Sequence, residues 1–369
     1  MPPEAMRGVG MPETPRYRVA VQKPRAAQQG GGSQFNLQEQ TYQYEMEALT
    51  PIGAEIIEID ADADADFVAQ VREFEAVIAR GRRINAEIIA GLEHCRIIGV
   101  GSVGTDAVDV DAATRAGIVV TNVPDVFIEE VADHTMALLL ASYRRLYEMR
   151  RLMLEGRWSE GHPRLREIPR LWGQTLGLVA FGNVARGVAR RAKPFGLHVI
   201  AYDPYISEME MTSAGVEPSG LFEMLARADF VSNHGPLNVE SRHMISTPHF
   251  RAMKPSAIFL NNGRGPSVDE QALIEALQAG EIAGAGLDVF ETEPADPENP
   301  LLHMENVIVT PHVASASARM MPETRRRLGQ ELALVLQGRW PRSAVNPQVL
   351  MGSTLERWQP HSMERGPNR

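Results

Sequence analysis

Residues 176–203 read LGLVAFGNVARGVARRAKPFGLHVIAYD, from Leu176 to Asp203, and the fold turns on this stretch. An apolar run, Leu176 to Phe181, stops at Gly182. A helical stretch follows, and Leu197 to Tyr202 form a second apolar run that closes on Asp203. Strand, helix, strand in so short a span reads as a βαβ unit, whose parallel strands are joined by a right-handed crossover. Downstream, SGLFEMLARA and DFVSNHG, ISTPHFRAM and AIFLNNG, then DEQALIEALQAG and GAGLDVF alternate helix with strand, and VIVTPHV supplies a last strand. Upstream, YRVAV (Tyr17–Val21) and AEIIEID (Ala54–Asp60) read as strands. ADADADFVAQVREFEAVIARG reads as a helix with a strand to follow, and RIIGVGSVGTDAVD as a β-branched run ending in glycines. Alternation of this kind predicts the α/β class with doubly wound parallel sheets rather than a sandwich. The longest helical candidate begins at Ile128, with Met136, Leu139, Leu140, Tyr143 and Tyr147 three and four residues apart and Gly156 suited to its end.

The chain has 369 residues, room for two domains of about 100–200 residues each. Its 37 basic and 47 acidic residues give a net charge of −10. No Lys/Arg block offsets that balance, so nothing favours nucleic acid as a partner. A single cysteine, Cys95, excludes an intrachain disulfide framework and a multi-cysteine zinc site. No stretch approaches the roughly 18 apolar residues of a membrane span. The first residues have no hydrophobic signal core, so a cytoplasmic protein is expected. Residues 1–16 and 348–369 read as loose ends, and Gly30–Gly32 as a loop or insertion.

The turn after Phe181 has the chemistry of a dinucleotide loop. A pyrophosphate needs a tight turn, a bare backbone where it approaches, and a helix N-terminus whose N–H groups face the anion. Gly182 fits the close-approach position and Ala185 the third; the first position, usually glycine, is Ala180. Asp203 lies about 20 residues beyond Gly182, where a carboxylate binds the ribose hydroxyls and repels a 2′-phosphate. The cofactor read from this is NAD rather than NADP.

Three later segments end strands with polar residues. NNGRG places Arg264, DVFETEP places Asp288 and Glu293, and VTPH places His312. In open α/β sheets, ligands bind outside the carboxyl ends of strands. Each residue alone could be a surface or turn residue, but the set suits a 2-oxo acid. A guanidinium holds its carboxylate, an imidazole exchanges a proton with its carbonyl oxygen, and a carboxylate steadies the imidazolium.

Taken together, these motifs resemble the D-isomer-specific 2-hydroxyacid dehydrogenases. This NAD-dependent family includes phosphoglycerate, D-lactate and glycerate dehydrogenases and the C-terminal-binding corepressors. The resemblance runs from about Ala54 to Pro347 through GVGSVGTDAVD, NVPDVFIEEVADHTMALLLA, EGRW, NHGPLNVESRHMI, NNGRG, DVFETEP and TPH. It implies a flavodoxin-like substrate domain, 17–122 plus 317–347, with a Rossmann-like NAD-binding domain, 123–316, inserted in it. It also implies catalytic roles for Arg264, Glu293 and His312, and backbone binding of the substrate carboxylate by Ser102, Val103 and Gly104. Gly182, Asn183, Val184, Asp203, Pro236, Gly263 and Asp288 would line the cofactor pocket, with Asp288 near the nicotinamide amide. A small 2-oxo or 2-hydroxy acid would be the substrate, and a homodimer the assembly.

Departures from the family pattern bear on substrate and role. Val100 stands where phosphoglycerate-type members often carry arginine, against a phosphorylated substrate. Asn238 replaces the usual threonine, as in the corepressor branch, but no tryptophan follows TPH, where that branch carries one. A corepressor-like NAD(H) sensor with little turnover is therefore the alternative to an enzyme. His134 reads as a packed histidine on an apolar helix. No metal site is expected from the histidine spacing.

Overall fold

In the computed structural model, residues 16–24 and 42–358 are described. The segments around Gly30–Gly32, most of the N-terminal leader and residues 359–369 lie outside them. The chain divides into two compact units: unit one runs to Val126 and resumes at Ala318, and unit two is Phe127–Ser317.

Unit one holds strands β1 (Tyr17–Gln22), β2 (Ala54–Ile59), β3 (Ala76–Ile78), β4 (Ile97–Gly99) and β5 (Val119–Thr121). They form an all-parallel sheet in the order β2-β1-β3-β4-β5, the flavodoxin-like winding. Helices α1 (Gln43–Leu49), α2 (Asp64–Val71), α3 (Ala86–Ala90) and α4 (Val110–Arg115) lie between the strands in sequence. Strands covered on both faces read as continuous apolar runs, and Val19, Ala20, Val21, Ala76, Val77, Ile97 and Ile98 are all fully buried.

Unit two holds α5 (Ile128–Tyr143), α6 (Leu146–Leu154) and α7 (Gly161–Leu165), then β6 (Thr175–Val179), α8 (Asn183–Ala192), β7 (His198–Tyr202), α9 (Glu208–Ser213) and β8 (Glu217–Pro218). After these come α10 (Leu221–Arg227), β9 (Phe230–Asn233), α11 (Thr247–Ala252), β10 (Ile258–Asn261), α12 (Glu270–Gln278), β11 (Gly284–Leu287) and β12 (Val307–Val309). The parallel order is β12-β11-β10-β9-β6-β7-β8. The winding reverses between β6 and β9, which places a ligand crevice at their carboxyl ends. Both expected doubly wound sheets are present.

Two readings are corrected. The single long helix from Ile128 is two helices: Arg145 takes φ 48 between α5 and α6. A left-handed residue cannot continue a right-handed helix, and the apolar periodicity runs through the break without recording it. Residues 348–358 are built into unit one rather than loose. They form α14 (Gln348–Gly352), bury Leu350, and accept the Trp340 indole N–H at the Leu355 carbonyl. Before them, α13 (Met320–Leu336) lies on β4, so close that a Cβ at Gly99 would come 2.6 Å from Leu328. Asn346 ties the returning chain to β5 by accepting the Val120 N–H at 2.8 Å and donating to the Ile118 carbonyl at 2.9 Å.

Candidate active site

The cofactor loop lies at the reversal point of unit two. Gly182 is the N-cap of α8; among the described residues no side chain caps that helix, and a Cβ at Gly182 would meet none of their atoms within 4 Å. Asn183 and Val184 form its first turn. The loop therefore presents an uncapped helix N-terminus and bare space, as a pyrophosphate requires. Ala180 keeps the tight turn by adopting φ 68, a left-handed conformation that disfavours any residue with a Cβ. The turn thus survives the loss of the usual glycine. Asp203, after β7, spans it: Oδ2 accepts from Phe181 N at 2.8 Å, and Oδ1 accepts from Tyr205 N and Ile206 N. Pro236 is exposed. Gly263 lies against Gly235, whose carbonyl would be 2.9 Å from an added Cβ.

The imidazole and carboxylate read from the sequence are in contact: His312 Nδ1 and Glu293 Oε2 are 2.8 Å apart. Glu293 Oε1 accepts from Phe290 N at 3.1 Å. Burial raises the Glu293 pKa. The hydrogen bond and charge of His312, the Phe290 N–H and the charge of Arg264 outweigh it and hold the carboxyl below the ordinary range. Arg264 thus acts on the same carboxylate. Its loop is locked against the Glu293 loop at Gly265, where a Cβ would be 1.7 Å from the Phe290 carbonyl oxygen.

Buried amides that the sequence reading passed over fix the Arg264 turn. Asn233 and Asn261 end neighbouring strands in register. Asn233 donates to Asn261 at 3.1 Å and to Ser267 Oγ at 2.7 Å; Asn261 accepts from Gly263 N and donates to the Arg264 carbonyl. Asparagine usually signals a turn, so the usable cue was position: two asparagines, each closing a predicted strand. Beside them, burial lowers the His234 pKa to about 4; its Nε2 is 2.9 Å from Ser232 Oγ, and its Nδ1 has no hydrogen-bond partner among the described residues.

Asp288 is 1% exposed and faces inward. Its Oδ1 accepts from Thr310 Oγ1 and Val313 N, and its Oδ2 from Ala314 N. The remaining predicted residues belong to unit one, in the loop after β4. There Ser102 Oγ donates to the Gly104 carbonyl at 2.7 Å, and the Val103 carbonyl accepts from Asn122 at 2.7 Å. Among the described residues, no group of three or more His, Cys, Asp or Glu side chains could hold a metal ion. Nor, among them, is any helix long and apolar enough to cross a membrane.

Residues 136–314 match the sequence profile of the D-isomer specific 2-hydroxyacid dehydrogenase NAD binding domain. Over 268 residues the chain is 42% identical to a glyoxylate reductase of Korarchaeum cryptofilum, covering 72% of this chain and 81% of that one. The chain belongs to the D-isomer-specific 2-hydroxyacid dehydrogenase family. It is also 35% identical to a D-3-phosphoglycerate dehydrogenase of Methanocaldococcus jannaschii, across 81% of this chain but only 56% of that protein's length. Among solved structures it is similar to an NADPH-dependent glyoxylate/hydroxypyruvate reductase of Sinorhizobium meliloti in complex with NADP and malonate. That match has 31% identity and a TM-score of 0.71, and covers 89% of this chain and 97% of that one. This dehydrogenase is an NAD-dependent oxidoreductase acting on a small hydroxy or oxo acid. Nothing in these matches supports the corepressor-like reading. The cofactor fits the observed residues: an open N-terminus on α8, bare space at Gly182, and a fixed carboxylate at Asp203.

Proposed function

We propose that this dehydrogenase reduces a small, unphosphorylated 2-oxo acid of the glyoxylate type to its D-2-hydroxy acid. The observation that carries the reading is the 2.8 Å pair of His312 and Glu293, with Arg264 acting on the same carboxylate. NAD(H), when bound, supplies or accepts the hydride. Arg264 holds the substrate carboxylate with its planar fork and polarises the carbonyl. His312 commits Nδ1 to Glu293, which leaves Nε2 to exchange a proton with the substrate oxygen. Glu293 stays ionised, because its pKa is held low, and its charge faces the imidazole that delivers the proton in reduction.

Gly182, Asn183 and Val184 would receive the pyrophosphate, Asp203 the adenosine ribose, and Pro236, Gly263 and Asp288 the rest of the cofactor pocket. The charge of Asp203 would repel a 2′-phosphate and favour NAD over NADP. Ser102, Val103 and Gly104 would hold the substrate carboxylate through backbone N–H groups, on the family resemblance. The domains would be 17–122 plus 317–347 for substrate and 123–316 for NAD. Val100, 3% exposed, offers no charge for a phosphate group, and a 42% identical relative is named a glyoxylate reductase. The protein is proposed to be cytoplasmic and homodimeric. Supporting the dimer, Leu146, Tyr147, Met153, Leu154 and Trp158 are exposed on α6 and the turn after it, more apolar surface than solvated helices carry.

The test is NADH oxidation across glyoxylate, hydroxypyruvate, pyruvate and a phosphorylated 2-oxo acid, with light scattering for assembly. Glyoxylate or hydroxypyruvate should turn over fastest. His312→Ala should lower kcat about 10²–10⁴-fold; an unchanged kcat would remove the acid/base assignment.

A further inference from the structure

We infer that Asp288, Thr310 and His134 form a positioning relay that holds the His312 turn in its working geometry. The inference rests on the acid/base role proposed for His312. It starts from the backbone: His312 has φ 52, a left-handed conformation costing a residue with a Cβ on the order of 1 kcal/mol. Such a conformation persists only where its surroundings over-determine it. Beside the Thr310 carbonyl, which also accepts from His312 N at 3.1 Å, and Glu293, which holds the ring at Nδ1, the turn is held by Asp288. Its carbonyl accepts from His312 N at 2.8 Å, and its two carboxylate oxygens accept from Val313 N and Ala314 N at 2.9 Å each. Three consecutive N–H groups are thereby pinned to one residue.

That residue must itself be held, because a carboxylate at 1% exposure is costly unless hydrogen-bonded. The strand register supplies the partner. Leu287 pairs with Val309, so Asp288 and Thr310 follow side by side on neighbouring strands. The Thr310 hydroxyl donates to Asp288 Oδ1 at 2.6 Å. With its proton committed there, Thr310 Oγ1 is an acceptor for His134 Nε2, 2.9 Å away. Nε2 therefore carries the hydrogen, and it lies 3.6 Å from the same Asp288 oxygen. His134 stands in the middle of α5, so one end of the relay is fixed by a helix and the other by the turn that carries the imidazole. Both Asp288 oxygens accept hydrogen bonds from within the protein.

The experiment measures kcat and KM for 2-oxo acid reduction, NADH affinity by fluorescence titration, and thermal stability in the full chain. The variants are Asp288→Asn, Thr310→Val, Thr310→Ser, His134→Leu, His134→Gln and His312→Ala. An amide at 288 cannot accept on both oxygens. Asp288→Asn is expected to lower kcat about 100-fold, the scale of a misplacement near 1 Å. Thr310→Val and His134→Leu should each lower kcat about tenfold, and Thr310→Ser and His134→Gln, which keep the hydroxyl and an N–H donor, should restore it. Should Asp288→Asn fail to fold, the Thr310 and His134 pairs still decide. Loss of NADH affinity in step with kcat in the Thr310 and His134 variants, or absence of rescue by Ser and Gln, overturns the relay. If His312→Ala stays fully active, the acid/base reading falls and the relay falls with it. If His312→Ala is inactive while the Asp288 and Thr310 variants are fully active, the relay alone is wrong.

Discussion

The two sheets share a winding rule but put their buried polar groups to different use. In unit two they sit at the carboxyl edge of the sheet: Asn233, Asn261 and Asp288 are at most 2% exposed, and each hydrogen-bonds to a loop that carries a predicted site residue. In unit one β3 and β4 end at Ile78 and Gly99, and the buried polar ends of β1 and β5, Gln22 and Thr121, carry no charge. The buried charge lies instead where α1 meets α13: Glu45 is 0% exposed, 3.8 Å from Arg80 and 3.9 Å from Arg325. Polarity at a sheet edge aims loops; polarity between helices fixes how the helices pack. A buried carboxylate therefore holds loops in one unit and helices in the other.

Matched substitutions break or confirm this contrast. Glu45→Ala removes the buried carboxylate that lies 3.9 Å from Arg325 and 3.8 Å from Arg80. It should cost about 3 kcal/mol in urea unfolding while the folded fraction keeps normal turnover. Glu293→Gln should do the reverse: kcat falls about 100-fold and stability changes little. The carboxyl of Glu293 has a folded pKa below its unfolded value, so it stabilises above about pH 4 and loses that contribution on acidification. Equal stability losses in the two variants would erase the distinction between the units.

Acidification sharpens the comparison further. His234 in unit two, with its pKa lowered to about 4, stays neutral in the folded state while the unfolded chain takes up a proton below about pH 6.5. Stability should therefore fall between pH 6.5 and 4, by at most about 3 kcal/mol. His234→Gln should flatten that slope by up to one proton; an unchanged slope would show that other groups carry it. The smallest effect expected is a mirrored pair of backbone changes. Ala180→Gly in unit two relieves φ 68 and should stabilise by about 0.5–1 kcal/mol, while Gly53→Ala in unit one, at φ 71, should destabilise by about 1 kcal/mol. Both are read from urea midpoints.

Legibility in the sequence followed the same division. Most strands of both units were readable because double-sided burial makes them continuous apolar runs, whereas β5 and the two-residue β8 were not read; the cofactor loop was readable because a strand, Gly182, a helix and Asp203 occur in fixed order. His312, Glu293 and Arg264 were readable by residue type at strand ends. The supports were not. Asn233 and Asn261 look like turn residues, and His134 looks like packing, because their partners are far away in sequence and close only through register. Arg145 was hidden for a related reason: its break interrupts the backbone, not the apolar pattern. The C-terminal turn misled by composition, since its polar residues surround one buried side chain, Leu350.

The bare backbone at Gly265 has a consequence for inheritance. With the Phe290 oxygen 1.7 Å from where a Cβ would stand, every single-nucleotide missense change at that codon must pry the guanidinium loop from the carboxylate loop. Among drifting copies of this gene, the position should accept no replacement while the chemistry is under selection. It should be among the first to vary once a lineage keeps the scaffold and abandons the reaction.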